Sequence, residues 1–240
     1  MLEKINLEKV LFLDIETVPQ FPDFSDVPEH FQQLWEKKAA FLKKEEEQTA
    51  ADLYERAGIY AEFGKIVCIS VGFVRNTRTG KQLRLKSFYH DDEATLLKQF
   101  IRLLDDHYNT PYHVLCGHNA KEFDFPYIAR RILINGLKLP NALNIAGKKP
   151  WEIAHIDTME LWKFGDFKHY TSLNLLAAVF DIPTPKDDID GSQVGAVYHQ
   201  EQNLERIKVY CEKDVVTVVQ LFLRYRGEAL IDEAEIEVSP

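Results

Sequence analysis

The sequence predicts an α/β fold, one mixed sheet with helices on both faces. Two observations carry this. Strand-like segments come first, three of them by residue 88, and from there strands alternate with helices, the order of a sheet layered on both sides. The chain has 240 residues, 45% hydrophobic and 28% charged. A globule of that size buries roughly 70–75% of its unfolded surface and needs no disulfide staples. The expected organisation is one domain over residues 1–240, with a helical insertion at about 20–63 and an acidic, frayed tail at 232–240.

Val10 to Glu16 is an apolar, β-leaning run before Pro19 and reads as a buried strand. From about Val27 to Ala61, Leu34, Trp35, Ala39, Phe41 and Leu42 lie among Lys37, Lys38, Lys43, Lys44, Glu45, Glu46 and Glu47. This is a charged helical segment, with a second helix suggested by Leu53, Tyr54 and Ala57. It reads as an insertion too short for a core of its own, its charge run a solvated face. Lys65 to Val74 is a second strand, Asn76 to Gly80 a turn, and Leu83 to Phe88 an alternating third strand. Asp91 or Asp92 can cap a helix burying Leu96, Leu97, Phe100, Leu103 and Leu104. His113 to Gly117 is a fourth strand. The next helix starts near Asp124, buries Phe125, Ile128, Ala129, Ile132 and Leu133, and stops at Asn135-Gly136. Ile153 to Asp157 forms a fifth strand. Leu173, Leu176, Ala177 and Phe180 mark a helix before Pro183, and Leu204, Ile207, Cys211, Val215, Val218 and Phe222 the face of a last, long one.

Cys68, Cys116 and Cys211 are far apart in sequence, each in an apolar stretch, and read as buried thiols in a reducing compartment. The N-terminal apolar run is cut by Asp14 and Glu16, and no apolar run reaches about 18 residues, so neither a signal peptide nor a membrane span is expected and the location is read as cytoplasmic. A net charge of −9 argues against tight non-specific duplex binding. It does not exclude nucleic acid held at an end, because carboxylates that bind divalent metals are neutralised by them.

Three constellations carry chemistry. Asp14 and Glu16 are two apart on a strand, so both project from one face while Ile15 projects from the other. Beside a core they repel each other unless a cation lies between them; the plain alternative is a strand end emerging into solvent. Asn119 to Asp124 joins the fourth strand to a helix, where Asp124 is also a plausible N-cap. Tyr210 and Asp214 are four apart on the last helix, at the edge of its apolar stripe; a boundary tyrosine and a solvated acid are the alternative. Together these are hard oxygen donors with no close Cys/His cluster, which suits Mg²⁺ or Mn²⁺ and not zinc. Two such ions about 4 Å apart stabilise the attacking and leaving oxygens of an in-line phosphoryl displacement.

The same residues resemble the three exonuclease motifs of the DEDD superfamily in its tyrosine branch: Asp14-Ile15-Glu16, Asn119 through Phe123-Asp124, and Tyr210 through Asp214. Gly117-His118-Asn119, the run from Phe123 to Arg131, and Tyr210-Cys211 look like the proofreading domain of family B DNA polymerases and its stand-alone relatives. The resemblance implies a ribonuclease H-like αβα sandwich with a five-stranded mixed sheet, order 3-2-1-4-5 and strand 2 antiparallel. It further implies a 3′–5′ exonuclease with two divalent ions, Mg²⁺ or Mn²⁺. Asp14 would bridge both, Glu16 and Asp214 would complete the nucleophile-side site, Asp124 would hold the second ion, and Tyr210 would orient the attacking water. The histidine branch carries its residue one position earlier, here Val209. Asn119, Phe123 and Thr17 look like substrate-facing positions. The expected partner is the 3′ end of single-stranded DNA, with RNA the rival; a catalytically silent binding module on the same fold is the other reading. The insertion is outside the minimal domain, leaving two roles open, covering the site or binding a protein partner. No polymerase domain follows, so the strand to be trimmed is expected to be free or presented by another protein.

Other features carry less. Asp187 to Gly191 resembles part of a calcium loop, but Lys186 and Val197 fall where outer ligands are required, so a turn at Gly191 is expected. His155, His169 and His199 lack metal spacing. Arg130, Arg131, Lys148, Lys149, Lys168, His169 and Tyr170 are candidates for lining a strand-binding groove, with Phe123 or Tyr170 stacking on a base, ordinary surface charge being the alternative.

Overall fold

The computed structural model describes residues 2–45, 47–166, 170–184 and 189–239. Glu46, Lys168, His169 and the stretch Lys186 to Asp188, named above, lie outside the described residues. Six strands form one mixed sheet: β1 (Val10–Pro19), β2 (Gly64–Asn76), β3 (Lys81–Tyr89), β4 (Val114–Gly117), β5 (Ile156–Asp157) and β6 (Ile236–Val238), in the order β5-β4-β1-β2-β3-β6. Strand β2 runs antiparallel to β1 and β3, and the remaining pairs are parallel. The order and the antiparallel second strand agree with expectation; the count of five does not.

The sixth strand corrects the reading of the tail as frayed. Ile236 pairs with Leu83, the Ser239 N–H donates to the Leu85 carbonyl at 2.8 Å, and Glu237 takes a 2.9 Å bond from Gln82 and lies 3.4 Å from Arg84. The tail's acidity is matched by the basic outer edge of β3. Strand β5 is shorter than expected, two residues rather than five.

The helices are α1 (Glu29–Ala40), α2 (Glu93–His107), α3 (Asp124–Ile134), α4 (Thr158–Lys163), α5 (Leu173–Val179), α6 (Val194–His199) and α7 (Leu204–Tyr225). The alternation of β1 sorts them into layers. Leu11, Leu13 and Ile15 pack with Leu96, Leu97 and Phe100 of α2 and Phe125, Ile128 and Ile132 of α3. Val10 and Phe12 pack on the other side with Val215, Val218, Val219 and Phe222 of α7. Asp92 caps α2, accepting from the Thr95 N–H at 3.1 Å.

Two expectations about α3 change. Leu133 is 62% exposed, whereas Tyr127 and Arg131 are buried. Arg131 therefore lines no groove. Its Nε donates to Glu93 Oε1 at 2.8 Å and its Nη1 to the Ala61 carbonyl at 2.8 Å, while Ile66 N–H and Asn135 complete the Glu93 carboxylate. A guanidinium can lie inside because its charge and donors are met there.

The insertion also differs from expectation. Val27, Trp35, Ala39, Leu53, Tyr54 and Ala57 form a small apolar cluster of their own, with Trp35 Nε1 donating to the Ala50 carbonyl at 2.8 Å. The second helix is a 3-10 helix, Tyr54–Ile59. Its Gly58 carbonyl accepts from the Tyr127 hydroxyl at 2.7 Å, and a Cβ on the facing Gly64 would lie 2.7 Å from that same carbonyl. Glycine is what lets the returning chain pass there. Among the described residues, no helix is long and apolar enough to cross a membrane.

Candidate active site

The face of β1 that carries Val10 and Phe12 continues through Asp14 and Glu16 to Val18, which packs with Ile207 and Cys211 of α7. The two acids thus interrupt an apolar face opposite α7, at the level of Tyr210 to Asp214. Ile15 lies in the opposite layer, as the strand alternation requires. Cys211 confirms the register. Its Sγ lies 3.5 Å from both the carbonyl oxygen and Oδ2 of Asp14, and ligand atoms of Asp14, Glu16 and Cys211 all fall within 4.8 Å of one another. A single thiol thus lies beside the acids, although its sequence position marks it only as part of the apolar stripe.

The charges of four acids act on one another here. Burial holds the Asp14 carboxyl well above its usual range, and the charges of Asp124, Asp214 and Glu16 add to this. Burial also raises Glu16, followed by Asp214, Cys68 and Asp124. Asp124 is pushed up to about 7, by burial first and then by Asp157 and Asp214, against hydrogen bonds from its own N–H and that of Ile15. Like charges out of water favour the protonated form. Asp124 is the first residue of α3 rather than its N-cap, a place taken by Phe123 without a side-chain bond.

The loop from β4 to α3 is fixed by a residue that sequence reading missed. Asp157 accepts from the N–H groups of Asn119 and Lys121, both at 3.0 Å, while capping α4 through Met159 and Glu160. An acid three residues before a glutamate at a helix start was the available signal. This clamp holds Asn119 at φ 61°, with its side-chain oxygen buried and without a hydrogen-bond partner among the described residues. Gly117 enters the same loop, where a Cβ would meet the Ala120 Cβ at 2.5 Å and the Leu13 carbonyl at 3.0 Å. His118 ties the loop onward, Nδ1 lying 2.9 Å from the Thr158 hydroxyl and Nε2 donating to the Thr171 carbonyl at 2.8 Å. Neighbouring Tyr170 is 67% exposed, and its phenol is raised by burial and then by Asp124, Asp14, Asp157 and Asp214.

The other expected residues are distributed as follows. Tyr210 is half-buried on α7, one turn before Asp214, against the Val18, Val67 and Ile207 cluster. Phe123 is half-buried against Tyr127, ring centroids 5.3 Å apart. Thr17 lies beside the Tyr127 hydroxyl, in the layer opposite the acids. Arg130 and Lys149 are exposed. Lys148 lines a cavity of about 410 Å³ with Tyr108, His113 and His155, at the end of β4 away from Gly117 and the acids. His155 is a satisfied core group, accepting from Leu115 N–H and donating to the Ala142 carbonyl, and His199 donates to the Pro19 carbonyl.

These residues fit divalent cations. Glu16 is 7% exposed and lies among like charges that raise it, and a cation or a proton relieves that repulsion.

Sheet, layers and acidic centre define an α/β protein consistent with the ribonuclease H-like exonuclease fold. A family model described as "Predicted 3′-5′ exonuclease related to the exonuclease domain of PolB" matches residues 59–237, and the chain belongs to that family. The matched span carries Asn119, Phe123, Asp124, Tyr210 and Asp214; Asp14 and Glu16 precede it.

Proposed function

We propose that the chain is a two-metal-ion 3′–5′ exonuclease of the tyrosine branch, acting on single-stranded 3′ ends with DNA favoured, and that residues 1–240 form one catalytic unit bearing the insertion. The observation that carries this reading is the convergence of Asp14, Glu16, Asp124 and Asp214, whose charges act on one another out of bulk water. A scaffold has no use for four acids whose charges raise one another. Asp14, Glu16, Asp124 and Asp214 would hold two Mg²⁺ or Mn²⁺ ions, which supply charge neutralisation and a more acidic water. The chain's own part is positional. Tyr210 orients the water that forms the new bond to phosphorus as the bond to the 3′ oxygen breaks, releasing a nucleoside monophosphate. Asn119 and Phe123 would face the terminal nucleotide, whereas Thr17 lies against Tyr127 and takes no such part, and exposed Tyr170 offers a ring for a base beside the acids.

The test is a gel assay on 5′-labelled single-stranded DNA and RNA of matched sequence, with Mn²⁺, Mg²⁺ or EDTA. A metal-dependent ladder shortening from the 3′ end is expected, reduced at least about 10³-fold in Asp14→Ala and about 10²-fold in Tyr210→Phe. Faster cleavage of RNA would make it an exoribonuclease. No cleavage of either strand by folded, metal-loaded protein would favour the silent binding module.

A further inference from the structure

We propose that Cys211 joins Asp14 and Glu16 as a third ligand, making the nucleophile-side site a mixed oxygen–sulfur site that captures thiophilic divalent cations such as Zn²⁺, Co²⁺ or Cd²⁺ and is blocked by them. The inference rests on the reading that Asp14 and Glu16 hold a divalent ion, and it assigns that site a regulator.

Three observations carry it. The first is distance. Tetrahedral zinc, with Zn–S about 2.3 Å and Zn–O about 2.0 Å, sets its sulfur and oxygen ligands about 3.5 Å apart. The Sγ of Cys211 lies 3.5 Å from Asp14 Oδ2, so one ion can reach both without moving α7 against β1. The second is the state of Glu16, nine-tenths buried among like charges, its ligand oxygen within 4.8 Å of the other two. The third is packing. Cys211 is fully buried among Val18, Val67 and Ile207, while Asp14 is only half-buried, so an ion enters past Asp14 and finds the thiol at the floor. On ligation the thiol proton passes to solvent and the S–metal bond replaces the S–H bond now directed at Asp14. Soft sulfur selects zinc-like ions and adds little for Mg²⁺, which prefers oxygen. Cys68 faces Glu16 across the β1–β2 ladder and its thiol acts on that of Cys211, but its Sγ is not one of the three ligand atoms that fall together and lies 3.6 Å from the Ser70 hydroxyl. Replacing it therefore tests whether Cys211 alone supplies the sulfur, and Cys116, in another cluster, is the remote control.

The experiment is a Co²⁺ titration of the whole chain followed by absorption, with Zn²⁺ as competitor. A thiolate-to-cobalt charge-transfer band is expected in the near ultraviolet. It should persist in the Cys68→Ser, Cys116→Ser double variant, where Cys211 is the only thiol left, and vanish in Cys211→Ser. Zn²⁺ should bind Cys211→Ser about tenfold or more weakly than wild type. Visible cobalt d–d bands without the charge-transfer band would overturn the cysteine assignment while leaving the carboxylate site standing. A band lost from the double variant, or retained in Cys211→Ser, would overturn it equally. These readouts are independent of cleavage, so a failed nuclease assay and a failed cysteine ligand are separate results.

Discussion

Two sets of carboxylates against the sheet sit in this molecule in opposite conditions. Glu93, on α2, is 6% exposed and fully answered by the chain: Arg131 meets it with two nitrogens, Ile66 with its N–H and Asn135 with its amide. Asp14 and Glu16, on the other side of the sheet, are answered mainly by other acids. Burying a charge is costly in either place. Where the compensating cation is covalently part of the chain, the result is a rivet joining α2, α3, β2 and the end of the insertion. Where it is not, the acids raise one another's affinity for protons, the condition in which a functional site is expected.

The contrast can be broken at either end. Glu93→Gln leaves the Arg131 guanidinium buried without its counter-charge, and a loss of about 3–5 kcal/mol is expected in urea unfolding. A loss below about 1 kcal/mol would show that water reaches Arg131 and that the two sites are not opposites.

The acidic centre should behave in the reverse sense. An unfolded aspartate releases its proton near its ordinary value of about 4, whereas folded Asp124 holds it to about 7. Between those values the unfolded chain is charged there and the native one is not, so metal-free stability falls as pH rises from 4 to 7 and stays low above. Asp124→Asn carries no such penalty. Metal-free Asp124→Asn is expected to be more stable than wild type at pH 8 by about 4 kcal/mol, with the gap closing as pH falls from 7 to about 4. Millimolar Mn²⁺ should raise the wild type and remove the gap. Parallel melting curves of the two proteins across that range would reveal the opposite slope if Asp124 were stabilised as an anion.

The smallest effect expected concerns the sheet edge. Ending the chain at Asp232 removes β6 and its bonds to β3, for about 1–2 kcal/mol in thermal unfolding, with no change in the pH behaviour of the acids.

Much of this was legible because local pattern and tertiary role coincide. Asp14 and Glu16 share a face by strand geometry alone, and Tyr210 and Asp214 by helix geometry. What was missed depends on residues distant in sequence. Arg131 reads as surface charge until Glu93, on another helix, is placed beside it. Strand β6 is three residues whose only reason to be extended is the edge of β3, well over a hundred positions earlier. Asp157 looks like a helix cap and is one, but its second task, holding the Asn119 loop, exists only after β4 and β5 are adjacent. Cys211 was counted as core, which it is; its approach to Asp14 depends on how far α7 is slid along β1.

Pro19 and Gly64 face each other as the last paired residues of the β1–β2 ladder. To the sheet, everything between them is a single hairpin connection, whatever its length. The entropy of closing such a connection grows only with the logarithm of its length. Residues 20–56 therefore behave as an exchangeable cassette, while Gly58 and Ala61, held by Tyr127 and Arg131, stay with the scaffold: a longer, shorter or unrelated segment can be accepted there without shifting the register that sets Asp14 and Glu16 opposite α7.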